Sequence, residues 1–340
     1  MTSLDYTFSG KKVQYFFNAS YTELEKHAPK DKLIVITDEN VFRRHPELSA
    51  YKLIVMRAGE QHKNQSTVDF LIDELIKLEA DRKTFIVGIG GGVVTDITGF
   101  TASIYMRGLQ FGFVPTTILS QVDASIGGKN GIDTGVYKNL VGLIRQPDFI
   151  LFDFSLLETL PEEQWVTGFA EIIKHACIKD AGLFELLEQH QLKDFRENKK
   201  LLADLIQRNV IIKSTVVEED EFEQGDRKLL NFGHTLGHAI ENIYELPHGH
   251  AISIGMAAAC KFSEELNNFD AVDTTRVVNL LQQYGLPVSL PIDAKRVFEI
   301  LKMDKKRVSA DMNFILLNKV GSAAIKSVPL SQLQELINKL

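Results

Sequence analysis

Two histidines stand four residues apart, at His234 and His238, and two more follow at His248 and His250. At that spacing the first two imidazoles share one face of a helix. Glu171 and Lys174 sit together in Gly168-Phe-Ala-Glu-Ile-Ile-Lys-His175, another helical pattern. A glutamate from one helix and histidines from others make a Zn²⁺ donor set with a position left open for a substrate oxygen. The residues between His234 and His238 include no glutamate, so the metalloprotease pattern HExxH is absent. Four histidines compete for the site, and spacing alone leaves open which three groups bind.

A second chemistry is suggested by Gly88-Ile-Gly90-Gly91-Gly92-Val93-Val-Thr-Asp96, between a strand-like run and a helical one. Backbone without Cβ atoms can approach a phosphate and point its N–H groups at it. The Rossmann spacing GxGxxG fails, because Val93 stands at the third glycine position counted from Gly88. Gly59-Glu60-Gln61-His62-Lys63 follows another strand-like run. The cations Lys129 (in Gly127-Gly128-Lys129, downstream of Asp123), Lys213 and Arg227 each read alone as a solvated charge. Taken with the glycines, Asn231 and the histidines, they suggest a converging anion site. Arginine offers such an anion a planar fork, lysine a point charge.

The elements that must carry these residues change character along the chain. Leu33–Thr37, Leu53–Met56, Thr84–Ile89 and Phe111–Val114 are short apolar runs, and Ser66–Leu78 repeats its apolar positions at helical spacing. Buried strands alternating with helices predict a parallel sheet covered on both faces, with ligands at the carboxyl ends, near residues 38, 60, 90 and 116. Beyond about residue 155 helical patterns dominate, at 167–178, 201–217, 235–244, 252–266 and 274–284. Residues 313–328 read as a hairpin, and 330–340 as a short amphipathic helix. The expected organisation is an α/β nucleotide-binding domain over 1–155, Rossmann-like with an atypical glycine motif. A mainly helical metal- and substrate-binding domain follows over 156–340.

Composition narrows the function classes. The chain has 340 residues, 44% hydrophobic and 24% charged, which excludes disorder and a small disulfide scaffold. Its 38 basic and 45 acidic residues give a net charge of −7 with no basic tract, so nucleic-acid binding is not expected. No signal-peptide pattern and no apolar run of about 18 residues is read, so neither secretion nor a membrane span is expected. Cys177 and Cys260 lie in apolar stretches without a CxxC partner, as in a reduced cytoplasmic protein.

These segments together resemble the 3-dehydroquinate synthase family, from about Val35 to Val328. The resemblance is carried by Gly90–Asp96, by Tyr105-Met-Arg107-Gly108 and by Val114-Pro-Thr-Thr-Ile-Leu-Ser-Gln-Val-Asp-Ala-Ser-Ile-Gly-Gly-Lys129. Lys138-Asn139, Thr159-Leu-Pro161, Gly168–Lys174 and Leu230-Asn-Phe-Gly-His-Thr-Leu-Gly-His-Ala-Ile-Glu241 follow in order. The resemblance implies Glu171, His234 and His248 as ligands of Zn²⁺ or Co²⁺, with His238 on the substrate. It assigns Asp123, Lys129, Asn139, Lys174, Lys213, Arg227, Asn231 and Glu223 to a sugar-acid phosphate. Arg107 would reach the phosphate, from a neighbouring subunit of a homodimer, and Lys305 or Lys306 would add a further cation. NAD would be held by Asp38, Asn40, Glu60, Lys63, Gly91, Gly92, Val93, Asp96, Thr116, Thr117, Lys129, Lys138 and Thr159. Where the family usually has His-Gly-Glu, this chain has His248-Gly249-His250, and Met303 stands where the family has arginine.

The implied activity is a step of the shikimate pathway toward chorismate and the aromatic amino acids. It converts 3-deoxy-D-arabino-heptulosonate 7-phosphate to 3-dehydroquinate and phosphate. Oxidation of the C5 hydroxyl acidifies the C6 proton, phosphate leaves from C7 by β-elimination, and reduction, ring opening and an intramolecular aldol step complete the ring. The nearest rival is a sugar-phosphate cyclase such as 2-deoxy-scyllo-inosose synthase, whose glucose 6-phosphate has no carboxylate for Arg227 to hold. A polyol dehydrogenase, releasing NADH, and a catalytically inactive metal- or nucleotide-binding regulator are the remaining alternatives.

Overall fold

The computed structural model describes residues 2–135, 137–302, 307–308 and 311–340, so Met303, Lys305 and Lys306 lie outside the described residues. The strands in chain order are β1 (Thr2–Phe8), β2 (Lys11–Phe17), β3 (Leu33–Asp38), β4 (Lys52–Met56), β5 (Phe85–Gly90) and β6 (Gln110–Pro115). They continue with β7 (Lys129–Thr134), β8 (Tyr137–Ile144), β9 (Phe149–Phe152), β10 (Arg307–Val308), β11 (Asp311–Lys319) and β12 (Ser322–Pro329). By its internal contacts the chain forms two compact units, Met1–Gln164 with Lys200–Phe222, and Trp165–Lys199 with Glu223–Leu340.

The first unit is built on a seven-stranded sheet in the order β1-β2-β9-β6-β5-β3-β4. Every pair from β2 to β4 is parallel, and β1 runs antiparallel to β2. β5 is buried at every residue and β3 at all but its last, which is why these two read as unbroken apolar runs, and β9 is buried throughout as well. Ser9 and Gly10, both at positive φ (43° and 84°), make the tight β1–β2 turn. The chain passes from β3 to β4 on one side, then crosses back to β5 on the other. The strand order therefore reverses between β3 and β5, and their carboxyl ends, Asp38 and Gly90, flank the reversal.

From Lys200 on, the helix Lys199–Glu219 belongs to this first unit. Helical periodicity does not say which core a helix packs on. Here the Ser214 hydroxyl donates to the buried Tyr15 hydroxyl at 3.3 Å, and Lys213 donates to Asp123 at 2.7 Å.

The second unit combines helices with the sheet β10-β11-β12. Leu236, Ile240, Ala251, Ile254, Phe262, Phe314 and Leu316 belong to one buried core. The helices His234–Tyr244 and His248–Asn267 touch backbone to backbone through glycine. A Cβ on Gly255 would stand 2.0 Å from the Gly233 carbonyl oxygen, and one on Gly249 would stand 2.3 Å from that of Thr167. No described helix is long and apolar enough to cross a membrane.

Candidate metal centre and nucleotide site

In the second unit Glu171 is fully buried on the helix Glu162–Lys179, and Lys174, one turn on, lies against its Oε2 as an ion pair. His234 opens the helix His234–Tyr244, and His248 opens the helix His248–Asn267. The Nε2 atoms of both stand 3.4 Å from the same oxygen, Glu171 Oε1. Their other ring nitrogens face acceptors. His234 Nδ1 is 3.1 Å from the Phe232 carbonyl, and His248 Nδ1 is 3.2 Å from Glu241 Oε2. An acceptor at Nδ1 assigns a ring hydrogen there, so Nε2, the atom facing Glu171, is the one each ring offers a cation once it is deprotonated.

A divalent cation suits this set. One carboxylate oxygen and two imidazole nitrogens lie within 4.8 Å of one another, which is Zn²⁺ or Co²⁺ chemistry with room for a further ligand. Neither Glu171 oxygen has a hydrogen-bond partner among the described residues despite full burial, so ionic neighbours alone compensate the carboxylate. Burial opposes its charge, but Lys174 and His234 outweigh burial and hold the carboxyl well below its ordinary range. Burial, with Lys174, pushes His234 down toward the neutral imidazole that a ligand requires. Burial also opposes charge on His248, but Glu171 and Glu241 raise it to about 10. A cation arriving at neutral pH therefore displaces a proton from that ring.

The remaining histidines separate by geometry. The ring of His238 lies 5.2 Å from that of His234 and 6.2 Å from that of His248. Two residues along a helix amount to a turn of roughly 200°, so His250 leaves the helix on a different side from His248. It joins none of the donor groups among the described residues. In the same unit Arg227 is buried in the turn Asp226–Asn231, and Asn231 donates to Glu223 Oε1 at 2.6 Å.

In the first unit β5 runs into Gly90-Gly91-Gly92, and Gly91 starts the helix Gly92–Ile104 without a side-chain cap. The first-turn N–H groups thus remain for another acceptor. A Cβ on Gly91 would come 3.2 Å from the Thr117 side chain, so the glycine keeps a narrow cradle open. Asp38 ends β3 and caps the next helix, Oδ1 accepting from the N–H groups of Asn40 and Val41 at 2.9 Å each. Burial pushes its carboxyl up. Thr116 follows β6, its N–H donating to the Gly90 carbonyl at 2.9 Å. An uncapped helix start beside an acidic strand end at the strand-order reversal fits the pyrophosphate and ribose of a dinucleotide.

Five further expected residues share one network beside that cradle. Lys63 Nζ pairs with Asp96 at 2.5 Å and donates to Asn139 Oδ1 at 2.6 Å. Lys138 Nζ donates to Glu60 at 2.9 Å. Burial opposes charge on Lys63, but Asp96 and Glu60 overcome it and hold the ammonium above its ordinary value.

Comparison with known proteins now decides the family. The profile for the 3-dehydroquinate synthase N-terminal region matches residues 53–167, and that for the C-terminal region matches 168–307. A 3-dehydroquinate synthase of Pyrococcus abyssi (strain GE5 / Orsay) is 39% identical over 312 residues, covering 91% of this chain and 89% of that protein. The chain belongs to the 3-dehydroquinate synthase family. Among solved structures, 2-deoxy-scyllo-inosose synthase complexed with carbaglucose-6-phosphate, NAD⁺ and Co²⁺ superposes with a TM-score of 0.88. It is 27% identical, with 99% of this chain and 100% of that one covered. The 2-epi-5-epi-valiolone synthase of Streptomyces hygroscopicus subsp. jinggangensis 5008, with NAD⁺ and Zn²⁺ bound, gives 0.88 at 25% identity, covering 100% of this chain and 98% of that one.

The other residues that the resemblance to 3-dehydroquinate synthase singles out are placed each by its own element. Lys129 opens β7 and is exposed, and Asp123 lies on the π-helical turn Ser120–Ala124, bonded to Lys213. Val93 stands in the first turn of the glycine-led helix, and Thr159 ends the turn after β9, donating to the Leu156 carbonyl at 3.4 Å. Arg107 is exposed in a turn where it and Met106 both have positive φ (66° and 48°). Two residues are added by the structure. Asp133 accepts from the Asn139 N–H at 2.7 Å and fixes its left-handed backbone, and Glu241 holds His248. Glu241 was visible as the last residue of the histidine motif; Asp133 carries no sequence signal.

Proposed function

We propose that this chain is a 3-dehydroquinate synthase, converting 3-deoxy-D-arabino-heptulosonate 7-phosphate to 3-dehydroquinate and phosphate. The observation that carries the proposal is the pair of imidazole Nε2 atoms 3.4 Å from one buried carboxylate oxygen, in a chain of this family. Glu171, His234 and His248 would hold the divalent cation. Asp38, Asn40, Glu60, Lys63, Gly91, Gly92, Val93, Asp96, Thr116, Thr117, Lys129, Lys138 and Thr159 would hold NAD, which makes the first unit the nucleotide-binding domain and the second the metal domain. When bound, NAD supplies reversible oxidation of a secondary hydroxyl, and the cation supplies Lewis acidity for that oxygen.

The chain's own residues do the rest. Arg227 presents a buried guanidinium fork to the substrate carboxylate, and Asn231 and Glu223 orient the hydroxyls around it. His238, next to both ligand imidazoles, takes the proton of the hydroxyl that is oxidised. Lys174 keeps Glu171 ionised. Lys129, Lys213 and Arg107 supply positive charge for the substrate phosphate, with Asp123 fixing Lys213.

The enzyme works as a cytoplasmic homodimer in this reading. Tyr137, Leu140 and Val141 on β8 are exposed apolar residues on a two-stranded hairpin, a surface that a second copy would cover. Both cysteines are free thiols, as a reducing compartment keeps them. The alternative, 2-deoxy-scyllo-inosose synthase activity, is supported by a structural likeness at 27% identity, against 39% for the named 3-dehydroquinate synthase. The deciding assay is phosphate release from the heptulosonate phosphate by purified protein. Omission of NAD or addition of chelator should abolish it, and NADH should not accumulate. Turnover of glucose 6-phosphate instead would transfer the assignment to the other cyclase.

A further inference from the structure

We propose that Glu241 is a positioning residue for the cation site, its carboxylate holding His248 in the tautomer and ring orientation that present Nε2 to the ion. The inference rests on reading Glu171, His234 and His248 as the ligand set. The two histidine ligands are secured differently. The Nδ1 of His234 bonds to a main-chain carbonyl, that of Phe232, and its side chain is 11% exposed. The Nδ1 of His248 bonds to a side chain, and 30% of the residue's side chain is exposed. His248 is also the first residue of its helix, so no preceding turn of that helix confines the ring. Its orientation is thus left to Glu241.

Glu241 is well placed for that task. It lies on the helix that His234 begins, seven positions on, which is two turns and returns it to the same face. Its side chain is 13% exposed, so the bond to His248 is shielded from water. One helix therefore supplies the first histidine ligand at its start and the clamp for the second near its end. A carboxylate accepting the outer N–H of a ligating imidazole fixes the ring and raises its basicity, and such partners change metal affinity by about 10- to 100-fold.

A different arrangement is possible for the same atoms, since His238, Glu241 and His248 also offer ligand atoms within 4.8 Å of one another. Stoichiometry separates the two. Full-length protein, stripped with chelator, is titrated with Zn²⁺ against a chromogenic competitor, and with Co²⁺ while its visible absorption is followed. Wild type should bind one ion per chain. E241A should bind one ion about 10- to 100-fold more weakly. E241Q, which keeps the volume and one acceptor oxygen, should lose less, and both should shift the Co²⁺ bands. Added to H248A, E241A should weaken binding no further. Equal affinity of wild type and E241A, or of wild type and E241Q should E241A not fold, overturns the proposal while leaving the ligand set intact. Two ions in wild type and one in E241A also overturns it, making Glu241 a ligand. No ion bound by wild type refutes the ligand set itself.

Discussion

Substituting Lys174 by methionine separates two effects that a catalytic assay would merge. The ammonium and Glu171 are both buried, with side-chain exposures of 2% and 0%, and no hydrogen bond among the described residues compensates the carboxylate. Removing one partner of a buried pair costs roughly 3–5 kcal/mol, because the other charge stays behind. His248, raised to about 10, still carries a proton at pH 7 and faces Glu171 Oε1, so the low end applies, about 3 kcal/mol. Unfolding entropy of about 2.1 cal/mol/K per residue gives a unit of roughly 150 residues about 0.3 kcal/mol/K. The metal-free K174M variant should then melt about 10 °C lower than metal-free wild type. Cation binding should move the other way. A divalent ion entering beside Glu171 no longer meets the lysine's charge, so Zn²⁺ should bind at least about tenfold more tightly, near 1.4 kcal/mol. Saturating Zn²⁺ therefore restores more stability to K174M than it adds to wild type. Calorimetric melting of metal-free and loaded forms, with chelator competition, measures both. A variant whose metal-free form melts like wild type, or whose Zn²⁺ affinity falls, would refute the charge balance assigned to Glu171.

Other outcomes follow from the same geometry. G249A forces a Cβ to within 2.3 Å of the Thr167 carbonyl oxygen, against backbone that cannot swing aside. Helix and His248 must shift, with a stability loss of about 1–3 kcal/mol by denaturant titration and weaker Zn²⁺ binding. H238N should lower kcat by about 100-fold or more with Zn²⁺ affinity within a few-fold of wild type, and unchanged turnover across pH would remove its proton-transfer role. Zn²⁺ affinity should fall about tenfold per pH unit below about 10 while one His248 proton is displaced, which calorimetry in buffers of different ionisation enthalpy reads as proton release. Lys63 is held above its ordinary pKa, so its stabilising effect is complete below about pH 10 and is lost as pH climbs through the folded value. K63M should show a flatter alkaline limb of stability and weaker NAD binding by fluorescence titration.

The chemistry-bearing residues were more legible than their grouping. Apolar runs at 33–37 and 84–89 became β3 and β5, because strands buried on both faces leave no polar alternation to misread. Strands β1 and β2 were missed, since exposed lysines, threonines and an aspartate interrupt them. β9 was not read, although its run is as long and as apolar as Leu53–Met56. Four histidines within 17 residues could not be ranked from spacing. The structure separates them through partners distant in sequence, Glu171 for His234 and His248, and through the 200° that two helical positions impose on His250. Lys63 and Asp96, 33 positions apart, gave no hint of their pairing, which depends on a turn and a helix start meeting in space.

The excursion of residues 200–222 bears on how the molecule can be divided. The backbone passes from one unit to the other three times, after Gln164, Lys199 and Phe222. A fragment stopped at residue 164 would lack the hydroxyl that meets Tyr15 and the ammonium that meets Asp123, and would leave bare the sheet-side surface that this helix covers. The complementary fragment would carry that helix without the Tyr15 and Asp123 side chains that its Ser214 and Lys213 meet. Neither half is a module that a single cut in the gene could release, and an independently folding nucleotide domain would need the helix grafted back through a new linker.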